Sequence, residues 1–76
     1  MDNIEAKVAE WNIHYRELLP IIKDLPAEAY EATVARELFF ICEENTELSV
    51  AVFNHPNNWG GWMYGDALAY LKRELS

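Results

Sequence analysis

The chain has little cysteine, little glycine and no long apolar run. Its one cysteine, Cys42, leaves no intrachain disulfide to form, which is typical of a reducing compartment, so we expect a cytoplasmic protein. The N-terminus lacks the basic and apolar segments of a signal peptide. The strongly apolar runs at 38–42 and 50–53 are too short to span a bilayer, so we expect no membrane association.

Positive charge is also scarce. Six basic side chains stand against thirteen acidic ones, and the formal net charge is -7. DNA, RNA and anionic membranes are bound through patches of Lys and Arg, so this balance argues against direct nucleic-acid binding. It suits a basic protein surface, because opposite charge speeds encounter and sets specificity. The same charge also serves solubility alone.

Motifs for catalysis, metals and cofactors are missing. The sequence contains no His-x-x-x-His, Cys-x-x-Cys, Gly-x-Ser-x-Gly or phosphate-binding glycine-rich pattern. His14 is interpreted as a surface histidine, and Cys42 as a buried structural thiol. A chain of 76 residues rarely encloses a substrate pocket. We therefore expect no enzyme, no cofactor and no metal.

What the chain does contain is apolar and aromatic area, since 51% of its residues are hydrophobic and 13% aromatic. That composition is globular rather than disordered. A first helix is predicted from about residue 3 to Leu19, where Pro20 disturbs it. Its apolar positions recur at spacings of three and four and form one narrow arc: Ile4, Val8, Trp11, Tyr15 and Leu18.

A second helix is predicted to begin at Pro26 and to end near 44–45, with Asn45 as a left-handed cap. Its apolar face covers about half the circumference, which predicts a central helix with two neighbours. The positions on that face are Ala27, Tyr30, Val34, Ala35, Leu38, Phe39, Ile41 and Cys42.

The segment 46–53 fits two structures. Thr46 caps a short helix in the one that we favour, whereas the alternation of Leu48, Val50 and Val52 fits a strand in a hairpin over 48–64. A last helix follows, capped by Asp66, with its leucines (Leu68, Leu71 and Leu75) turned inward. We predict an all-α bundle of three to four short helices, forming one acidic domain over residues 1–76; the alternative is α+β.

Phe40 lies about 170° from the centre of the apolar face of the second helix. Charged residues surround it in projection, and Glu37 and Glu44 lie on one side of that helix, about 20° apart. Either the segment 48–53 covers Phe40, which is the interpretation that we favour, or Phe40 is an exposed anchor with a polar rim, as interface hot spots often are.

The segment 54–65 holds all three glycines and two of the three tryptophans. Large aromatics in such a connection either close a core or form a contact surface, and we favour a structural corner. Combined with the acids and Phe40, it gives these candidate partner-binding residues: Glu37, Phe40, Glu43, Glu44, Glu47, Trp59, Trp62 and Tyr64.

The leading hypothesis is a protein-binding inhibitor or adaptor that docks an acidic, aromatic-centred face on a basic site, such as the nucleic-acid channel of a nuclease or defence complex. In size and charge alone the chain resembles bacteriocin immunity proteins and phage anti-restriction or anti-CRISPR inhibitors. One alternative is a structural module that forms a homodimer. Another is a small-ligand or sugar binder that uses Trp59, Trp62 and Tyr64.

Overall fold

The computed structural model describes residues 4–58 and 65–75. Trp59, Trp62 and Tyr64 therefore lie outside the described residues, as does the whole second strand of the hairpin alternative, residues 59–64. The described part is helical and contains no strand, which confirms the all-α class and a helix over 46–53. The helices are α1 (Ile4–Ile22), α2 (Ala27–Ile41), α3 (Thr46–Phe53) and α4 (Ala67–Tyr70), and a π-helical segment (Leu71–Leu75) continues α4.

The predicted end of the first helix at Leu19 is wrong, because α1 continues through Pro20 to Ile22. Pro20 removes one helical N–H, but it lies in the last turn, where few further bonds depend on it. The N–H of Lys23 still donates to the Leu19 carbonyl at 2.9 Å. Ile22 is buried, and its packing holds the additional turn.

The predicted end of the second helix near 44–45 is also wrong, because α2 ends at Ile41. Glu43 and Glu44 have φ angles of 58° and 59°, so they adopt the left-handed conformation that the sequence assigned to Asn45. The N–H of Glu44 returns to the Phe39 carbonyl at 2.8 Å, which closes the helix end.

Asn45 begins the next helix instead of ending the previous one. Its backbone is extended, and its Oδ1 accepts a hydrogen bond from the Leu48 N–H at 2.9 Å. The predicted cap at Thr46 is therefore displaced by one residue. Asn is among the strongest N-capping residues, so only four residues, 42–45, separate the end of α2 from the start of α3.

The core lies where these helices meet. Its buried apolar residues are Val8, Trp11, Tyr15, Ile22, Val34, Ala35, Leu38, Cys42, Val52, Ala67 and Leu71. The apolar arcs predicted for the first two helices supply most of them, although Ala27 proves to be exposed. Trp11 stacks on Tyr15 with ring centroids 5.5 Å apart, and the Tyr15 hydroxyl shares a hydrogen bond with that of Tyr30.

The start of α4 differs from the expected cap. The Asp66 side chain makes no capping hydrogen bond, and the Asp66 N–H donates to Glu31 Oε2 at 3.1 Å. Gly65 precedes it with φ at +60°, and a Cβ there would collide with the Glu31 carboxylate. Of the three leucines expected to point inward, Leu71 is buried, whereas Leu68 and Leu75 are half-buried.

Candidate partner-binding face

Phe40 is exposed to solvent over 72% of its surface. The favoured sequence interpretation, in which the segment 48–53 covers it, is therefore wrong. That segment forms α3, which packs on α1 and α2 and turns Val52 and Ser49 into the core. The buried residues of α3 therefore pack into the core and do not cover Phe40, so the ring of Phe40 remains at the surface.

Phe40 lies in an open groove of about 340 Å³. Helix α2 supplies Arg36, Glu37, Phe39 and Phe40, the following turn supplies Glu44, and the π-helical segment supplies Leu75. Residues three and four apart on a helix are neighbours, so Arg36 and Glu37 lie one turn before the phenylalanine ring. We call this surface the Phe40 groove. Its lining combines apolar side chains with charged side chains of both signs.

Glu44 reaches this groove because the α2–α3 turn is left-handed. Two successive non-glycine residues with positive φ are uncommon, and each costs roughly 1–2 kcal/mol relative to an ordinary backbone. The turn also separates two carboxylates that are adjacent in sequence. Glu44 lines the groove, whereas Glu43 Oε2 lies 3.3 Å from Lys7 Nζ.

Lys7 joins α1 to the end of α2. Its Nζ donates to the Ile41 carbonyl at 3.1 Å and lies 3.4 Å from Glu10 Oε1. A cation at the carboxyl end of a helix stabilises the unpaired carbonyls there. The hydrogen bond that Lys7 donates to Glu43, together with the nearby negative charge of Glu10, raises the pKa of Lys7. Glu43 therefore serves a contact within the chain.

Glu37 also has an internal partner, since its Oε1 lies 2.6 Å from His14 Nε2. The two side chains are 36% and 39% exposed, so His14 lies at the surface, as predicted, but it has a partner on α2. The imidazole donates this bond from Nε2, since an ionised carboxylate can only accept. The two residues are 23 positions apart in the sequence, so no local pattern predicts this contact.

The remaining predicted residues lie elsewhere. Glu47 is exposed in the first turn of α3, and the groove is lined by other residues. Trp59, Trp62 and Tyr64 lie outside the described residues, so the sugar-binding alternative stays a prediction. The candidate residues predicted from the sequence did not include Arg36 or Leu75. Helical projection places Arg36 beside Phe40, one turn before it, whereas Leu75 lies on another element that no spacing within α2 could reveal.

A second hollow, of about 550 Å³, lies between the start of α2 and α4. Glu28, Glu31 and Asp66 line it, opposite Tyr70 and Arg73. Within residues 4–58 and 65–75, no three His, Cys, Asp or Glu side chains are placed to hold a metal ion. Glu31 moreover accepts the Asp66 N–H, so it has a structural role.

Cys42 is fully buried, as predicted. Burial raises the pKa of its thiol, because a thiolate would lose its hydration in the core. A protonated, inaccessible thiol is a poor nucleophile. Cys42 therefore acts as a small apolar residue in the core.

Comparison with protein-family models, with curated proteins and with solved structures finds no match to this chain. In the part of the chain that the structure describes, no helix has the length and apolar character needed to cross a membrane.

Proposed function

We propose that this chain is an acidic binding protein, an inhibitor or adaptor, that docks the Phe40 groove onto a basic surface of a protein partner. The observation that supports this most is a phenylalanine, 72% exposed, in a groove that two carboxylates also line. An aromatic ring with a polar rim is the usual composition of an interface hot spot. On binding, the ring would lose its contact with water, and the rim would exclude solvent around it.

Charge supports a basic partner. The net charge of -7 attracts a positive surface over distances of about 10 Å at 0.1 M salt. Near contact, Glu44 and the outer oxygen of Glu37 are available to basic side chains of the partner. A positively charged channel that normally holds nucleic acid has the required chemistry, and occupying it would inhibit the partner.

Other exposed apolar residues provide a contrast. Ile21 is 75% exposed and Ile13 is 63% exposed, yet single exposed aliphatic side chains are ordinary on protein surfaces. Phe40 differs because Phe39 and Leu75 extend its apolar area within one groove. Ile21 is therefore a matched control of similar exposure.

The test is capture from extracts of the source cells and of their viruses or competitors by three immobilised proteins: wild type, Phe40→Ala and Ile21→Ala. We expect wild type and Ile21→Ala to retain the same basic protein, and Phe40→Ala to lose it. The purified partner should then bind more slowly as salt rises, because screening weakens the attraction. A partner that Phe40→Ala retains as well as wild type does would contradict the proposal.

A further inference from the structure

Three residues of the Phe40 groove form a stripe along α2 and its end that is positive, apolar and then negative: Arg36, Phe40 and Glu44. Each is four residues from the next in the sequence. We propose that this stripe pairs with a second copy of the chain, antiparallel, about a two-fold axis at Phe40. The inference goes beyond the proposed function, because the same groove would then be covered when no partner is present.

The order of charges is what favours a second copy. At a two-fold axis the same surface of both copies meets in opposite directions. A residue four positions before Phe40 on one copy therefore faces the residue four positions after Phe40 on the other copy. Arg36 would thus face the partner copy's carboxylate at position 44, and this contact would occur twice. The two rings at position 40 would meet at the axis, where aromatic pairs pack offset or edge to face.

The other acids near the stripe already have internal partners. Glu37 shares a hydrogen bond with His14, and the charge of Glu43 is partly offset by Lys7 within each copy. Arg36 and Glu44 take part in none of the ion pairs that the described residues form. Arg36 Nη1 lies 3.4 Å from the Tyr70 hydroxyl, a contact that keeps the guanidinium beside the groove.

The net charge of -7 on each copy opposes association. That repulsion acts at long range and is screened at about 0.15 M salt, where the Debye length is about 8 Å. The paired charges across the axis are much closer than this and are screened less. The dimer should therefore be weak, forming at high protein concentration and at moderate rather than very low salt.

Charge reversal tests the pairing by sedimentation equilibrium at 0.15 M salt. Arg36→Glu alone and Glu44→Arg alone each place like charges at both contacts, so each should weaken self-association by about tenfold or more. An equimolar mixture of the two variants restores opposite charges at both contacts and should form a heterodimer. The double variant, Arg36→Glu with Glu44→Arg, should form a homodimer again.

Far-ultraviolet circular dichroism confirms that each variant is folded before it is compared. A wild-type chain that stays monomeric at millimolar concentration would overturn the inference. So would single variants that dimerise as wild type does, or a mixture that stays monomeric. Dimerisation that Phe40→Ala leaves unchanged would place the interface elsewhere and overturn it too.

The same variants separate this inference from the proposed function. Arg36→Glu should abolish the dimer yet preserve or speed binding to a basic partner, because it removes a positive charge from the groove. Glu44→Arg should weaken both associations. If the wild-type chain proves monomeric but captures a basic partner through Phe40, the dimer inference fails and the proposed function does not. If the chain dimerises but captures no partner, the proposed function fails and the dimer inference does not.

Discussion

Glu43 and Glu44 show how a shift of one position in the sequence changes the role of a carboxylate. They are adjacent, and both have the left-handed backbone that is costly for a side chain with a Cβ. The ion pair with Lys7 partly offsets the cost of this backbone at Glu43. Glu44 forms no ion pair among the described residues and lines the groove. Backbone strain of this kind persists where the surrounding structure or a function requires it.

Glu44→Gly should therefore separate stability from binding. Glycine removes a left-handed strain of roughly 1–2 kcal/mol but adds unfolded-state entropy of about 0.4–1 kcal/mol. We expect the free energy of unfolding to stay unchanged or to rise by up to about 1 kcal/mol in urea titrations. Association with the basic partner should become slower, because the groove loses a carboxylate.

The control is Glu43→Gly, which loses the contact with Lys7 Nζ and leaves the groove carboxylate in place. Compared with Glu44→Gly, this variant should slow association with the basic partner less, and its free energy of unfolding should rise less. A Glu44→Gly protein that binds at the wild-type rate would show that this carboxylate has no part in docking.

At the scale of the helices, the apolar periodicity predicted most of the fold. The arcs of the first two helices and the helix over 46–53 are confirmed, because burial of a helical face imposes that spacing. The ends were harder to place. Packing of Ile22 extended α1 beyond Pro20, and the left-handed pair at 43–44 ended α2 early. Neither cause is visible in local propensity.

Helical periodicity also predicted part of the candidate site. Helical spacing put Phe40 opposite the core face, and it grouped Glu37 with Glu44 on one side. Whether another segment covered Phe40 depended on the direction of α3, which the α2–α3 turn sets. The bonds of Glu37 to His14 and of Glu43 to Lys7 are contacts between helices, so no pattern within one helix could reveal them.

Asn45 is the element-scale residue whose removal is most informative. Its Oδ1 is the side-chain cap of α3, and this helix has only eight residues. Asn45→Ala should lower the free energy of unfolding by about 1 kcal/mol, the usual cost of losing such a cap. Asn45→Asp keeps an acceptor oxygen, so it should stay close to wild type. Equal losses in the two variants, measured in urea, would show that the cap does not stabilise α3.

At the scale of the whole molecule, one small core must stabilise 76 residues. A chain of this length has a free energy of unfolding of roughly 4–11 kcal/mol. Truncating a buried large side chain removes about 3–5 kcal/mol, a large part of that total. Trp11 and Tyr15 are the fully buried aromatic residues among those described, and an exposed Phe40 adds little to the core. The proposed function requires that Phe40 serve contacts outside the chain.

The most direct measurement is the free energy of unfolding of Phe40→Ala in urea, beside Leu38→Ala as a control. Both residues belong to α2, but Leu38 is fully buried. We expect Phe40→Ala to lie within about 0.5 kcal/mol of wild type, as surface substitutions do. Leu38→Ala should lose about 2–5 kcal/mol. A loss of about 3 kcal/mol or more for Phe40→Ala would place its ring in the core and contradict the account.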